Sequence, residues 1–418
     1  MKRYWKSVVL IALIVISLGS FYIESLLNPL PSFKLVKSEG DEKQAADIVM
    51  QGRFEYANGD VRVDQAGSSY DSEKSLLWQL AESHRYYDYK TKIQLNRLQQ
   101  EHGSFMRGKE NLIGFYEDKQ VLVYVDLEST YNQLNRNNKF DFQVSVLDKS
   151  SSKVSDFEIS VPNDTNYLWM NIQNVQMVDK QLKLLTRNAK RTAVQPKSGN
   201  LSETHIYSID PAAKKILQDD MAGEDQYVDE TTFEEFFLLH DVQALTSSER
   251  VIYQHKTTHL QKLNGKSNVD SSYSVSSVDY SFSSYNLRTG KEEMIPFPIN
   301  SSTPQDTDSY YVSGERILKL SADKAGMTIE KYNLSDRKSE PAITLAYSDL
   351  GSASLPRTSF DDRNMYLLVH TDKRSEVIII DLANGQTVYK GAAVVEGSAA
   401  EQEAQLNKLN LQNIVLMK

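Results

Sequence analysis

The segment IIDLANGQTV, at residues 379–388, shows the pattern that decides the fold of this 418-residue chain. An apolar strand ends in an aliphatic residue beside Asp or Asn, a polar turn follows, and a further strand begins. Four earlier segments share this pattern: VSVLDKSSSK (144–153), IYSIDPAAKK (206–215), SYNLRTGKEE (284–293) and KYNLSDRKSE (331–340). The five copies, aligned on an aliphatic residue, are 62, 78, 47 and 48 residues apart at Leu147, Ile209, Leu287, Leu334 and Leu382.

The spacing of these segments predicts a β-propeller. The last two intervals match the roughly 40–50 residues of one four-stranded blade. Polar insertions at 187–203, 219–232 and 264–277 would explain the two longer intervals. We therefore predict an all-β fold, a β-propeller of about six to seven four-stranded blades. A pair of β-sandwiches is the alternative, because evenly spaced antiparallel strands do not define their own topology.

Both ends of the body offer a strand that could close such a ring. Residues 53–63, RFEYANGDVRV, form the clearest predicted hairpin, since Asn58-Gly59 accepts the positive φ of a type I′ turn. The strand-like residues 413–418, NIVLMK, could share a blade with this hairpin and hide both sheet edges.

One or two short helices are predicted before the repeats. Asp71 or Ser72 can cap the first helix, whose apolar face consists of Leu76, Leu77, Leu80, Ala81 and His84. A second, weaker helical pattern covers residues 92–101.

One hairpin carries a family resemblance. Residues 377–389, VIIIDLANGQTVY, resemble the outer hairpin of blades in bacterial quinoprotein-like and WD40-like β-propellers, and NLRTG at 286–290 repeats its turn. Tyr389 stands where the quinoprotein pattern usually has Trp. The resemblance implies a fold and assigns no cofactor ligand, so we expect no cofactor.

The N-terminus predicts a membrane anchor. Residues 7–23 carry no charge, and 17 helical residues span roughly 26 Å, near the short limit for a bilayer core. Aromatic residues suited to the two membrane interfaces flank or end this run: Tyr4, Trp5, Phe21 and Tyr22. Basic residues precede it at Lys2, Arg3 and Lys6, which keeps the N-terminus in the cytoplasm and exports the rest.

These features predict the domain organisation of a single-pass bacterial membrane protein. Residues 1–6 would form a cytoplasmic tail, 7–23 the span in contact with membrane lipid, 24–47 a stalk and 48–418 the extracytoplasmic propeller. A cleaved signal peptide is the alternative, with Ser17 and Gly19 as the small residues of its cleavage site.

Composition excludes several classes of function. Lys and Arg number 47 against 56 Asp and Glu, a net charge of −9 without a basic stripe, so we expect no nucleic acid partner. The absence of cysteine excludes disulfides, thiolate metal sites and cysteine nucleophiles, and suits a bacterial surface.

Local motifs for phosphate and metal chemistry are incomplete. Residues 103–110, GSFMRGKE, match the start of a phosphate-binding loop, but Glu110 replaces the required Ser or Thr. His255 and His259 have helical metal-site spacing, yet their surroundings predict a strand, which would separate them by roughly 13 Å. Asp306 and Asp308 begin like a calcium loop, a weak metal candidate without the third ligand and the glycine.

Clustered tyrosines are the candidate binding residues. Two groups are adjacent in sequence: Tyr86, Tyr87 and Tyr89, and Tyr310 with Tyr311. Tyrosine fits half-buried strand positions, but at loop ends it also anchors protein interfaces or stacks on sugars.

Two functions from different classes remain. The first is a membrane-anchored binding or scaffolding protein, whose propeller surface contacts a protein partner or an envelope ligand in the membrane or cell wall. The second is an envelope hydrolase acting on glycans or peptides through facing carboxylates in the central channel. A purely structural spacer is a third possibility.

Overall fold

The structure is a computed structural model that describes residues 30–57, 59–74, 89–132, 137–191, 201–239, 248–262, 273–297, 308–352, 355–371 and 374–417. Within these ranges, no helix has the length and apolar character needed to cross a membrane. The predicted span at 7–23 and its interfacial residues Tyr4, Trp5, Phe21 and Tyr22 lie outside the described residues.

Strands dominate the described chain, because β-branched and aromatic residues alternate with polar ones along most of it. In chain order they are β1 (Phe33–Gly40), β2 (Ile48–Phe54), β3 (Asp60–Val63), β4 (Ser68–Tyr70), β5 (Phe115–Glu117), β6 (Val121–Asn132), β7 (Asn137–Asp148), β8 (Lys153–Ser160), β9 (Tyr167–Val178), β10 (Gln181–Lys190), β11 (Ser202–Asp210), β12 (Lys215–Glu224), β13 (Gln226–Tyr227), β14 (Thr232–Leu239), β15 (Arg250–Lys262), β16 (Tyr273–Asn286), β17 (Lys291–Ile295), β18 (Ser309–Ser313), β19 (Arg316–Ala322), β20 (Gly326–Asn333), β21 (Lys338–Ala346), β22 (Arg357–Phe360), β23 (Asn364–His370), β24 (Ser375–Asp381), β25 (Thr387–Val395) and β26 (Leu409–Leu416).

Short helices interrupt the strands. They are α1 (Tyr89–Glu101), α2 (Tyr347–Leu350) and α3 (Ala399–Leu406). Helix α1 confirms the helical pattern at 92–101. The other predicted helix falls largely on residues 75–88, outside the described ranges, after a single 3₁₀ turn at Asp71–Glu73.

The strands form six antiparallel sheets, and this confirms the all-β prediction. We number them along the chain: sheet 1 has the order β5-β6-β7-β8, sheet 2 β9-β10-β11-β12, sheet 3 β13-β14-β15-β16-β17, sheet 4 β18-β19-β20-β21, sheet 5 β22-β23-β24-β25-β1 and sheet 6 β26-β2-β3-β4. Within each sheet, strands that follow one another in the chain therefore lie side by side. The exceptions are β1, which lies beside β25, and β26, which lies beside β2.

The two ends of the chain close the architecture as the sequence predicted. Strand β26 pairs with β2, from Ile48 opposite Leu416 to Phe54 opposite Leu409, so the last strand completes the sheet of the early hairpin. The hairpin itself is confirmed, and Gly59 has the expected positive φ of 89°.

The predicted stalk at 24–47 needs a correction. Residues 33–40 form β1, which pairs along β25 as the fifth strand of sheet 5. Phe33 and Leu35 are buried in the core shared by sheets 5 and 6. The prolines at 28–32 suggested an extended stalk, but the alternation of Phe33 and Leu35 with lysines is that of a half-buried strand.

Sheets that follow one another along the chain share hydrophobic cores. Each pair of successive sheets has its own hydrophobic cluster, for sheets 1–2, 2–3, 3–4, 4–5 and 5–6. Aromatic pairs mark several of these junctions: Phe142–Tyr207, Phe282–Tyr310, Tyr311–Phe360 and Phe33–Phe54, with ring centroids 5.1, 5.0, 5.1 and 5.6 Å apart. Two sandwiches would have two separate cores, so the arrangement is instead consistent with a propeller.

Helix α1 packs on sheet 1 and also contacts sheet 6. Leu95 and Leu98 pack on Phe115 and Tyr124, which belong to the face of sheet 1 turned away from sheet 2. The same helix contacts β26 of sheet 6. The helix therefore links the first and the last sheet of the series.

The repeated segment has a physical basis in one hydrogen-bonding pattern. The last hairpin of each sheet turns at an Asp or Asn whose side-chain oxygen accepts backbone N–H groups two and usually also three residues later, at 2.6–3.0 Å. Such Asx turns direct the chain back into the second strand of the hairpin. We call this end of the sheets the Asx end; its six residues are Asp64, Asp148, Asp210, Asn286, Asn333 and Asp381.

These bonds correct the alignment made on aliphatic residues. Leu147 and Ile209 precede their Asp, whereas Leu287, Leu334 and Leu382 follow their Asx residue. The equivalent positions are the Asx residues, now 62, 76, 47 and 48 residues apart. Sheet 6 also contains a copy that the sequence analysis missed, at Asp64.

The predicted insertions are only partly loops. Strand β10 continues to Lys190, β12 continues to Glu224 and β16 begins at Tyr273, so each predicted insertion includes strand residues. In sheet 3 the strands β15 and β16 have 13 and 14 residues, whereas β19 and β20 of sheet 4 have 7 and 8. Longer strands therefore account for part of the long intervals.

Candidate functional site

The two predicted tyrosine groups differ in how much of them the structure describes and in where their rings lie. Tyr86 and Tyr87 lie outside the described residues, and Tyr89 is the first residue of α1. Tyr310 and Tyr311 are half-buried in β18, where Tyr310 packs 5.0 Å from Phe282 of sheet 3 and Tyr311 packs 5.1 Å from Phe360 of sheet 5. These two rings fill the junctions on both faces of sheet 4.

The weak calcium candidate is described only at one of its residues. Asp306 lies outside the described ranges, and Asp308 Oδ2 lies 3.4 Å from Lys319 Nζ. An ammonium group beside this carboxylate offsets the charge that a cation would need. His255 and His259 lie on strand β15, as predicted, with Ser283 and Asp279 as their respective partners at 2.9 and 3.1 Å.

One group in the described chain has metal-ligand chemistry, namely Glu101, His102 and Glu117 near the end of α1. Glu117 is already held by Arg97 at 2.5 Å and by Lys149 at 2.7 Å. Burial raises the pKa of Glu117, but the two cations outweigh burial and the net pKa is lowered. The group therefore fastens α1 to sheet 1 by ion pairs.

A polar cluster lies at the opposite end of sheet 2 from its Asx turn. We call this end of the sheets the entry end, because β1 enters there at Phe33 and β9 begins there at Tyr167. His205 Nδ1 lies 2.7 Å from Asp219 Oδ1, and His205 Nε2 lies 3.2 Å from Glu203 Oε2. The Tyr167 hydroxyl lies 3.1 Å from the same Nε2. Strands β9, β11 and β12 thus contribute to one site.

The electrostatics of this cluster favour a charged imidazole. Only 8% of His205 is exposed, and burial by itself lowers its pKa, but hydrogen bonds and charges from Asp219 and Glu203 raise the net pKa above the ordinary value. With a carboxylate at each ring nitrogen, both nitrogens act as donors. Burial raises the pKa of Tyr167 to about 12, so its hydroxyl stays neutral and binds as a donor or acceptor.

A buried ion pair joins the same end of sheet 2 to sheet 3. Arg187 Nη2 lies 2.6 Å from Asp225 Oδ2, and the guanidinium also donates to the carbonyl of Phe236 in β14. Asp225 is 3% exposed and accepts backbone N–H groups from Ser202 and Phe236 at 3.2 and 3.1 Å. Burial raises the pKa of Asp225 despite the cation beside it.

An open cleft of about 250 Å³ lies beside this cluster, where sheets 1 and 2 meet at the entry end. Its polar and aromatic lining consists of Asn111, Asp126, Ser129, Asn138, Phe140, Trp169 and Asn171. Trp169 follows Tyr167 on β9, the first strand of sheet 2, and is 37% exposed. No basic residue lines the described part of the cleft. The arrangement suits a neutral ligand with an apolar face and several hydrogen-bonding groups.

The buried carboxylates in the described chain bind other side chains and do not face one another. Asp141 is bound by Lys139 at 2.7 Å, Asp225 by Arg187, and Glu376 by Lys390 at 3.3 Å. Asp361 accepts the Tyr366 hydroxyl at 2.7 Å. These contacts stabilise local structure, and they do not form the facing pair that glycoside hydrolysis requires.

Sequence reasoning missed both His205 and Trp169. His205 was one of seven scattered histidines, and two of its three partners, Asp219 and Tyr167, lie 14 and 38 residues away in the chain. Trp169 had a weaker but readable signal, because YLWMNI at 167–172 places a large ring at a solvent-facing strand position.

No known protein-family profile and no curated protein matches the chain. Among solved structures, a variant of the Synechocystis apocarotenoid oxygenase is 10% identical, covers 66% of this chain and 62% of that one, and has a TM-score of 0.33. A structure of a prolyl endopeptidase is 12% identical, with coverage of 69% and 35% and a TM-score of 0.31. Dipeptidyl peptidase 4 of Porphyromonas gingivalis is 6% identical, with coverage of 66% and 38% and a TM-score of 0.32.

The chain thus spans between 35% and 62% of the length of these structures. TM-scores this low do not establish a common fold. The fold described above therefore rests on the sheet order and the shared cores.

Proposed function

We propose that the protein is a membrane-anchored, extracytoplasmic binding or scaffolding protein, and that its six sheets are the blades of a β-propeller. The anchor would be residues 7–23 of a single-pass bacterial membrane protein. The propeller surface would contact a protein partner or an envelope ligand.

The observation that carries this proposal is how firmly the chain is fixed directly after the apolar run. Pro31 O accepts the Tyr70 hydroxyl at 2.6 Å, and Phe33 is fully buried between sheets 5 and 6. Residues 24–29 reach at most about 20 Å when extended, so an anchor at 7–23 would hold the ring close to the bilayer. Since β1 begins at the entry end, that end would face the membrane and the Asx end would face away.

The test uses the absence of natural cysteine. Full-length Glu55→Cys places one thiol in the β2–β3 turn at the entry end, and Ser151→Cys places one in an Asx turn of sheet 1. Labelling of both thiols in intact cells by a membrane-impermeant maleimide supports export of the ring. Labelling only after lysis would contradict it.

Two further measurements complete the test. Carbonate-resistant membrane association and an intact mass that retains residues 1–23 distinguish the anchor from a cleaved signal peptide. Crosslinking in intact cells, followed by mass spectrometry, then identifies a partner. A stoichiometric membrane or wall protein supports scaffolding, and its repeated absence favours a soluble ligand.

A further inference from the structure

We propose that the cleft between sheets 1 and 2 at the entry end binds a neutral, hydroxyl-rich carbohydrate. The proposal deepens the function proposed above and rests on it only in placing the cleft outside the cytoplasm. It would make one surface of the ring a glycan-binding site.

The aromatic side chains of the cleft carry the first part of the argument. Trp169 leaves 37% of its surface exposed on a strand whose neighbours Met170 and Ile172 are buried. Tyr131 lies outside the lining of the cleft, but it is 59% exposed and shares a face of β6 with the lining residue Ser129, because side chains two residues apart in a strand share a face. A flat apolar ring with one polar group suits the C–H face of a pyranose and its hydroxyl rim.

The hydrogen-bonding groups carry the second part. Asn138 and Asn171 are amides, which both donate and accept, and Ser129 offers a hydroxyl that does the same. Sugar hydroxyls require this mixture of donors and acceptors. The amide of Asn138 donates to the carbonyl of Leu168, and Asn111 Oδ1 accepts from Ile113 N at 3.3 Å, so two of the lining amides are held in position before any ligand arrives.

Charge selects the class of carbohydrate. Asp126 lies in the cleft, and the described lining contains no Lys, Arg or His. A phosphate, sulfate or uronate would meet a carboxylate without a compensating cation. A neutral sugar, with or without N-acetyl groups, meets no such repulsion.

The open edge of β6 shows why an extended peptide fits less well. β5 pairs only with Leu122 to Tyr124, so among the described strands none covers this edge of β6 beyond that point. Asp118 N donates to Val121 O on this side, and the backbone of alternate residues, including Leu127, therefore points the same way. The backbone N–H of Leu127 already donates to Asp126 Oδ1 at 2.9 Å. A peptide strand added at this edge would need that N–H as a donor to its own carbonyl groups.

The experiment is isothermal titration of the full-length protein in phosphatidylcholine nanodiscs, which contain no glycoside detergent. The probes are chitotetraose, cellotetraose and an alternating Thr-Lys decapeptide. We expect at least one oligosaccharide to bind and Trp169→Ala to weaken its affinity at least tenfold, roughly 1.4 kcal/mol. Trp169→Phe keeps a stacking ring and should retain most of the affinity, and Asn171→Ala should lose about threefold.

Tyr56→Ala is the matched control, because Tyr56 is an exposed aromatic residue, 67% accessible, at the entry end of sheet 6. The affinity of the Tyr56→Ala variant for the oligosaccharide should equal that of the unmodified protein. An unchanged thermal unfolding temperature should show that each variant is folded. Absence of binding by both sugars, or equal binding after Trp169→Ala, would overturn the proposal. Binding of the decapeptide alone, lost in Trp169→Ala, would replace the carbohydrate with a peptide. Neither result changes the thiol-labelling test of export.

Discussion

The two ends of sheet 2 are stabilised in different ways. At the Asx end, Asp210 accepts the N–H groups of Ala212 and Ala213, so the turn satisfies itself within three residues. At the entry end, the imidazole of His205 is held by hydrogen bonds to Asp219 and to Tyr167, which lies 38 residues away in the chain. The first arrangement is local and recurs in all six sheets, whereas the second is nonlocal and belongs to one sheet.

This difference predicts where a substitution costs most. Replacing Arg187 by Met at the entry end leaves the carboxylate of Asp225 buried without its cation. We expect the free energy of unfolding to fall by about 3 kcal/mol, as for other broken buried pairs. Denaturant titration of the full-length protein measures the loss. A loss below about 1 kcal/mol would show that the backbone donors to Asp225 suffice, and the entry end would then resemble the Asx end.

The Asx end should respond less to a single change. Asp210→Ala removes one side-chain oxygen and leaves two exposed backbone N–H groups to water, so we expect a loss of about 1 kcal/mol, similar to the loss of a helix N-cap. Asp210→Asn keeps the accepting Oδ1 and is the matched control, with little change in stability. The newly identified copy at Asp64 should give the same result with Asp64→Ala. Equal stability of Asp64→Ala and the unmodified protein would remove sheet 6 from the set of equivalent turns.

The same contrast explains what the sequence could predict. An Asx turn requires an oxygen on one residue and N–H groups two or three positions later, so its pattern is written in consecutive letters and the five copies were found. The copy at Asp64 was missed because the strands on its two sides, β3 and β4, have only four and three residues, which is short for an alternating pattern to be recognised. The alignment shifted the first two copies by two residues against the last three, because buried aliphatic residues occur on both sides of the Asx position.

The candidate site could not be derived in this way. The pairing of β1 with β25 joins residues 349 to 362 positions apart, and residues predicted as a stalk therefore form a strand. The cleft likewise brings β6 beside β9, and nothing near Asn138 in the sequence indicates that its amide will meet Leu168. Propensity and periodicity describe single strands, whereas the site depends on which strands become neighbours.

Two histidines, His205 and His255, are expected to differ in pKa, and the resulting effect on stability is smaller than those above because it is confined to the pH range in which they titrate. His205 and His255 are both partly buried beside an aromatic ring, yet carboxylates at hydrogen-bond distance raise the pKa of the first. Burial lowers the pKa of His255. The carboxylate of Glu292, 3.6 Å away, raises this pKa but offsets the effect of burial only in part. NMR titration of histidine ring signals should place the two values on opposite sides of about 6.5.

The sign for stability follows from linkage. Because the folded pKa of His205 is raised, its contribution is fully present below the unfolded value, near 6.5, and is lost as pH rises through the folded value. His205→Gln should remove this part of the pH dependence of unfolding. An unchanged pH profile in that variant would show that the two carboxylates do not hold the imidazole in its charged form.

The smallest effect is expected for an arginine at the Asx end. Arg288 contacts Asp179 and Glu249 at 2.9 and 2.6 Å, distances similar to that between Arg187 and Asp225, but its side chain is 49% exposed and theirs are 62% and 52% exposed. Water solvates all three groups when the pair is broken, so Arg288→Met should change the free energy of unfolding by no more than about 0.5 kcal/mol. Denaturant titration alongside Arg187→Met compares the two directly. A loss for Arg288→Met as large as that for Arg187→Met would mean that ties between sheets 2 and 3, rather than burial, set the cost, and the distinction between the two ends would fail.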